Sequence, residues 1–147
     1  MDPGFRRKPN RMRTYDYASN GGYFITLCAR DRLCLFANSK TMEPTETGQI
    51  VKHALEQIDT QYVGVHIDKY TIMPNHIHIL MNLQCANATV STIISQCKRY
   101  VTLRAGESVW QRSFYDHVIR GEADYQHIWE YMENNPAKWI EDRYYFP

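Results

Sequence analysis

Cysteine is scarce in this sequence. The four that occur, Cys28, Cys34, Cys85 and Cys97, form neither a C-x-x-C pair nor a dense framework. A disulfide-stapled secreted scaffold is thereby excluded, and a reducing, cytoplasmic setting is expected. No apolar run reaches membrane-spanning length, and the N-terminus lacks the apolar stretch of a secretory signal, so no membrane partner is expected. Internal repeats and low-complexity tracts are absent. So are a Walker-type glycine loop, which argues against nucleotide-driven chemistry, and an acidic triad, which argues against a two-metal nuclease.

What is present describes one folded unit. With 44% hydrophobic and 22% charged residues over 147 positions, the chain can build a single buried core, and one domain spanning 1–147 is expected. Within it, residues 1–14 read as a basic arm and 137–147 as a C-terminal tail. The net charge of +1 hides an uneven distribution, since Arg6, Arg7, Lys8, Arg11 and Arg13 cluster near the start. Such an arm suits a phosphate backbone or an acidic surface.

Periodicity orders the rest. Ser19-Asn20-Gly21-Gly22 reads as a turn, and Tyr23 to Ala29, rich in aromatic and β-branched residues, as a strand. Residues 48–59 carry Ile50, Val51, Ala54, Leu55 and Ile58 at helical spacing, with Thr47 as the expected cap. Strands are expected from Val65 to Ile72 and from His76 to Leu83, broken by Met73-Pro74-Asn75. A second helix covers 89–103 behind Thr89, a fourth strand runs from Phe114 to Ile119, and a third helix over 123–135 is closed by Pro136. The order β-α-β-β-α-β plus a final helix is an α+β, ferredoxin-like split βαβ sandwich, in which two helices cover one sheet face and the other stays partly open.

The chemistry-bearing feature is His76-Ile77-His78. Side chains two apart on a strand share a face, roughly 7 Å apart along the backbone. His76, His78 and Leu80 therefore point one way, and Ile77, Ile79 and Met81 point towards the expected core. Two imidazoles on one face can begin a metal site, which then needs a third ligand from elsewhere. Ordinary sheet histidines would show the same spacing.

Met73-Pro74-Asn75-His76-Ile77-His78-Ile79-Leu80 resembles the histidine–hydrophobic–histidine motif of the HUH single-strand transposases, and most of all the REP-associated tyrosine transposases, which act on repetitive palindromic DNA. Four more stretches share that resemblance: Tyr15-Asp16-Tyr17 with Gly22-Tyr23-Phe24-Ile25-Thr26, Lys98-Arg99-Tyr100-Val101, Val109 through Arg120, and Tyr131-Met132-Glu133-Asn134-Asn135-Pro136. The similarity spans roughly residues 11–140 in order. It implies that Tyr131 is a nucleophile forming a 5′-phosphotyrosine, and that Asn135 joins His76 and His78 as metal ligand. It also implies single-stranded or hairpin DNA as substrate and a monomer or homodimer as the assembly. Spacing agrees, because residues four apart lie on one helix face. Two imidazoles and an amide oxygen suit Mg²⁺ or Mn²⁺.

Arg6, Arg7, Lys8, Arg11, Arg13, Lys98, Arg99 and Arg112 are candidates for DNA-backbone contacts, and Tyr15, Tyr17, Trp110 and Phe114 for base stacking. His117 is expected to make a structural hydrogen bond. Two alternatives remain at this level: a non-catalytic, RRM-like nucleic-acid-binding module, and a metal-dependent phosphodiesterase that uses water.

Overall fold

The computed structural model describes residues 20–141. The basic arm, with Arg6, Arg7, Lys8, Arg11, Arg13, Tyr15 and Tyr17, lies outside the described residues. Four strands and three helices follow in the expected order: β1 (Gly21–Cys28), α1 (Glu46–Gln61), β2 (Val65–Met73), β3 (His76–Leu83), α2 (Val90–Ala105), β4 (Tyr115–Val118) and α3 (Glu122–Asn134). The strands form one antiparallel sheet in the spatial order β2-β3-β1-β4, as a split βαβ requires. No helix among the described residues is long and apolar enough to cross a membrane.

Alternation on the two central strands sorts the side chains. Tyr23, Ile25 and Leu27 of β1 and Ile77, Ile79, Met81 and Leu83 of β3 join Val51, Leu55 and Ile58 of α1 and Ile93, Ile94 and Val101 of α2 in the main core. Phe24 and Leu80, on the opposite face, pack with Ile128 and Met132 of α3 in a second, smaller cluster. The second face, expected to stay partly open, carries the last helix over β3, while Tyr115 of β4 remains exposed. Hence β3 is buried on both sides at every position but Asn82.

Local chemistry corrects several boundaries. Gly21 and Gly22 belong to β1 rather than to a turn. A Cβ at Gly22 would lie 3.3 Å from Cδ1 of Ile119, so glycine lets the end of β4 close against the strand. The cap of α1 is Thr45, not Thr47: its Oγ1 accepts from the Gly48 amide at 3.0 Å and donates to the Leu35 carbonyl. Thr89 caps α2 as expected, and Gly106 ends it in the left-handed conformation. The segment expected to be a tail continues beyond α3 as a 3-10 turn, Pro136–Glu141.

A constraint at the start of α1 is testable. A Cβ on Gly48 would sit 2.0 Å from the backbone oxygen of Phe36, the same oxygen that accepts from the Thr45 amide at 3.0 Å. Backbone cannot yield as a side chain does, so Gly48→Ala should destabilise the protein by about 2–3 kcal/mol. The expected observation is a lower urea midpoint with an unchanged slope; an unaltered midpoint would contradict this close approach.

Candidate active site

The histidine face is set by register. Thr26 of β1 and Thr71 of β2 flank His78, and Cys28 and Met73 flank His76. In β2 a bulge between Ile67 and Lys69 changes the alternation. Ile67 opposes Met81 on the core side, yet Lys69 opposes Leu80 on the histidine side. No pattern in the sequence marks that shift.

His76 and His78 are both fully buried, with ring centroids 4.6 Å apart. Nδ1 of His76 donates to Oδ1 of Asn75 at 2.8 Å, and Nδ1 of His78 lies 3.0 Å from Oγ1 of Thr26. Holding Nδ1 in this way fixes the orientation of both rings, and at His76, whose Nδ1 donates, it leaves the neutral tautomer's lone pair on Nε2; Nε2 is buried in both rings. Burial, then repulsion from His78, push the His76 pKa down to about 2, against a partly opposing contact with Asn135. The ring is thus a neutral imidazole, the form that ligates metals.

Helix α3 brings the remaining groups. Its apolar stripe, Ile128 and Met132, sits on Phe24 and Leu80. That docking carries Tyr131 over the histidines, with its ring edge-on to His78 at 5.4 Å and to Phe24 at 6.1 Å. Tyr131 is 37% exposed, so one side of the phenol faces outward. Asn135 caps the helix C-terminus and is buried, and its Oδ1 takes no hydrogen bond among the described residues. A buried amide oxygen left without a donor is costly unless a ligand satisfies it. Two neutral imidazoles and that oxygen fit a small divalent cation. Among the described residues, no group of three or more His, Cys, Asp or Glu is placed to hold a metal.

Polar contacts hold the helix from both ends. On the β2 flank, Nζ of Lys69 meets Glu133 at 2.7 Å and lies 4.7 Å from the Trp129 ring centre, while Tyr125 donates to Asp68 at 3.0 Å. At the N-terminus, Asp124 reaches back to accept from the Arg120 amide at 2.9 Å and also contacts Nε2 of His117 at 2.8 Å. His117 thus makes the hydrogen bond expected of it, with Asp124. Beyond the helix, Trp139 is buried with its ring 6.2 Å from that of His76, walling the site on that side.

The four residues singled out by resemblance, His76, His78, Tyr131 and Asn135, thus meet within one chain. Of the basic candidates, Lys98, Arg99 and Arg112 lie within the described residues and do not converge on them. Lys98 lies on α2, and its ammonium is held by the carbonyls of Gln111 at 3.2 Å and Ser113 at 2.8 Å. Arg99 is exposed on the same helix, in the layer across the sheet from the histidines, and Arg112 is exposed in the loop before β4. Trp110 and Phe114 are partly buried at the periphery of the main core, Trp110 lying against Phe36 and donating to the Lys98 carbonyl. Thr26 and Trp139 escaped the sequence reading, because a strand register and a packed segment beyond a proline leave no local signal. Asn75 was visible only as a neighbour of His76.

Comparison with known proteins extends this geometry. The chain is 33% identical to an uncharacterised protein of Haemophilus influenzae, over 95% of this chain and 93% of that protein. It is 26% identical to the REP-associated tyrosine transposase of Escherichia coli, over 84% of this chain and 72% of the relative. A solved REP-associated tyrosine transposase bound to a REP hairpin superposes with a TM-score of 0.71 at 25% identity, covering 93% of this chain and 74% of the other. No family model matches the chain.

The Asp124 node makes α3 docking pH-dependent. Partial burial raises the carboxyl's pKa, but the Arg120 amide and His117 outweigh it and hold the group below the usual carboxylate value. A depressed folded pKa adds stability above the unfolded value of about 4, and that stability is lost as pH falls through the folded value. Asp124→Asn should cost about 1–2 kcal/mol at pH 7 and progressively less towards pH 3. Urea unfolding at both pH values measures this; an equal cost at each would exclude the charge as its origin.

Proposed function

This chain belongs to the REP-associated tyrosine transposases, which are enzymes, and from that premise we propose that it nicks and rejoins single-stranded or hairpin DNA through a phosphotyrosine on Tyr131. In this reading His76, His78 and Asn135 hold a divalent cation, Mg²⁺ or Mn²⁺. The observation that carries it is the meeting of a phenol, two imidazoles held through Nδ1, and a buried amide oxygen across one strand and one helix. A hairpin substrate is carried over from the solved relative bound to one. Because the four side chains meet within one chain, a monomer suffices.

When bound, the cation supplies Lewis-acid stabilisation of charge on the phosphate. The protein's own residues do the rest. The outward side of Tyr131 admits a phosphodiester, while Phe24 and His78 limit the ring's rotation, so the phenol is held for attack with little entropy left to lose. An unperturbed phenol has a pKa of about 10, and making it fully available as phenolate at neutral pH corresponds to about 4 kcal/mol. Attack forms the Oη–phosphorus bond and breaks the phosphorus–O3′ bond. The phenol gives up its proton, the 3′ oxygen departs as a hydroxyl, and the 5′ phosphate stays on Tyr131. One diester replaces another, so a 3′-hydroxyl can reverse the reaction without a nucleotide cofactor.

A labelled hairpin oligonucleotide with Mn²⁺ tests the proposal. The wild-type protein should form a covalent adduct. Tyr131→Phe should lose it by on the order of 10³-fold or more while remaining folded, since the ring and its contacts with Phe24 and His78 are kept. His76→Ala should lose both the adduct and Mn²⁺ binding. Cleavage persisting in Tyr131→Phe would point instead to a phosphodiesterase using water.

A further inference from the structure

Among the described residues strand β4 pairs only with β1, with Phe24 opposite His117 and Thr26 opposite Tyr115. Cross-strand partners share a face, so Tyr115 points to the same side as the histidines. It stands in one row with them: Thr71 of β2, His78 of β3, Thr26 of β1 and Tyr115 of β4. The first three are buried, whereas Tyr115 is 44% exposed. Two strand spacings separate it from His78, roughly 10 Å, which is the scale of a nucleotide rather than of a direct bond.

The rest of the face directs a ligand towards this side. On the β2 flank, Lys69, Glu133, Trp129, Tyr125 and Asp68 close the edge of α3 against the sheet. Arg112 and Arg120 are exposed just before and just after β4 and favour a phosphate chain running past it. The loop leading into β4 is anchored by Lys98 on two of its carbonyls, so the tyrosine is presented from fixed backbone. A tyrosine has few rotatable bonds and loses little entropy when it binds.

We propose that Tyr115 is the platform on which an unpaired base flanking the scissile phosphate stacks, a binding residue that positions the single-stranded part of the substrate whatever its base. The inference rests on the proposed role of Tyr131, which orients the scissile phosphate on this face. Its test is separable from catalysis, because stacking is read by binding.

Fluorescence anisotropy with a hairpin oligonucleotide carrying oligothymidine flanks measures it in metal-free buffer, since stacking tolerates any base. Tyr115→Ala should weaken binding about tenfold, whereas Tyr115→Phe should stay within about twofold of wild type. Tyr115→Leu, which keeps apolar bulk without a π-face, should be as weak as alanine. When single abasic residues are stepped along the flanks, one position should weaken wild type by the same factor and erase the difference from Tyr115→Ala. Equal binding by Tyr115→Ala and wild type, a phenylalanine variant as weak as alanine, or no abasic position that erases the difference would each overturn the inference. If the abasic coupling is found but wild type forms no adduct with Mn²⁺, the stacking stands and the proposed chemistry falls.

Discussion

Everything at the site depends on one small apolar contact, the docking of Ile128 and Met132 onto Phe24 and Leu80. Burying side chains of this size contributes about 1.5–3 kcal/mol each, whereas a surface ion pair contributes at most about 1 kcal/mol, and Lys69–Glu133 has its carboxylate exposed. The apolar cluster therefore supplies the energy that holds α3 on the sheet. The polar contacts at its two ends, Asp124 with Arg120 and His117 and Lys69 with Glu133, decide the angle at which it lies. Once that angle is set, helical spacing alone brings both Tyr131 and Asn135 to the histidine pair.

The same docking imposes a cost. It buries two imidazoles and an amide where apolar side chains would pack more favourably, and buried polar groups need satisfied partners. Asn75 and Thr26 answer part of that need by taking up the Nδ1 atoms, and burial keeps His76 neutral. The main core on the opposite face shows no such compromise, being built from Ile, Leu, Val, Phe and Met around Tyr23. Stability is concentrated on one side of β3 and polar chemistry on the other, so the strand's simple alternation separates the two tasks.

That alternation is why much of the fold could be read from sequence. His76 to Leu83 places apolar residues on both faces and imidazoles on one, and residues 89–103 repeat at helical spacing behind a threonine cap. The failures share a cause: each depends on what lies across space. The bulge between Ile67 and Lys69 puts Lys69 on the histidine side, where it meets Glu133 of α3, and nothing in Val65 to Met73 announces it. Gly21 and Gly22 look like a turn until Ile119 is seen against Gly22. Thr45 and Thr47 are equivalent caps on paper, and Leu35, ten positions before Thr45, decides between them. Trp139 lies past a proline that reads as the end of structure, yet it is buried beside His76. Lys98 reads as a free cation because the carbonyls that hold it come from a loop more than ten residues later.

One helix carries the proposed nucleophile and one proposed ligand, while the strand carries the other two ligands. This division couples chemistry to docking. Displacing α3 would remove Tyr131 and Asn135 together, so a partly assembled site retaining the nucleophile without the ligand cannot form by helix movement alone. The histidines, by contrast, keep their Nδ1 partners from β1 and from the turn before β3 whether or not α3 is seated. The sheet thus keeps half of the arrangement preorganised, and the seating of a single helix completes it.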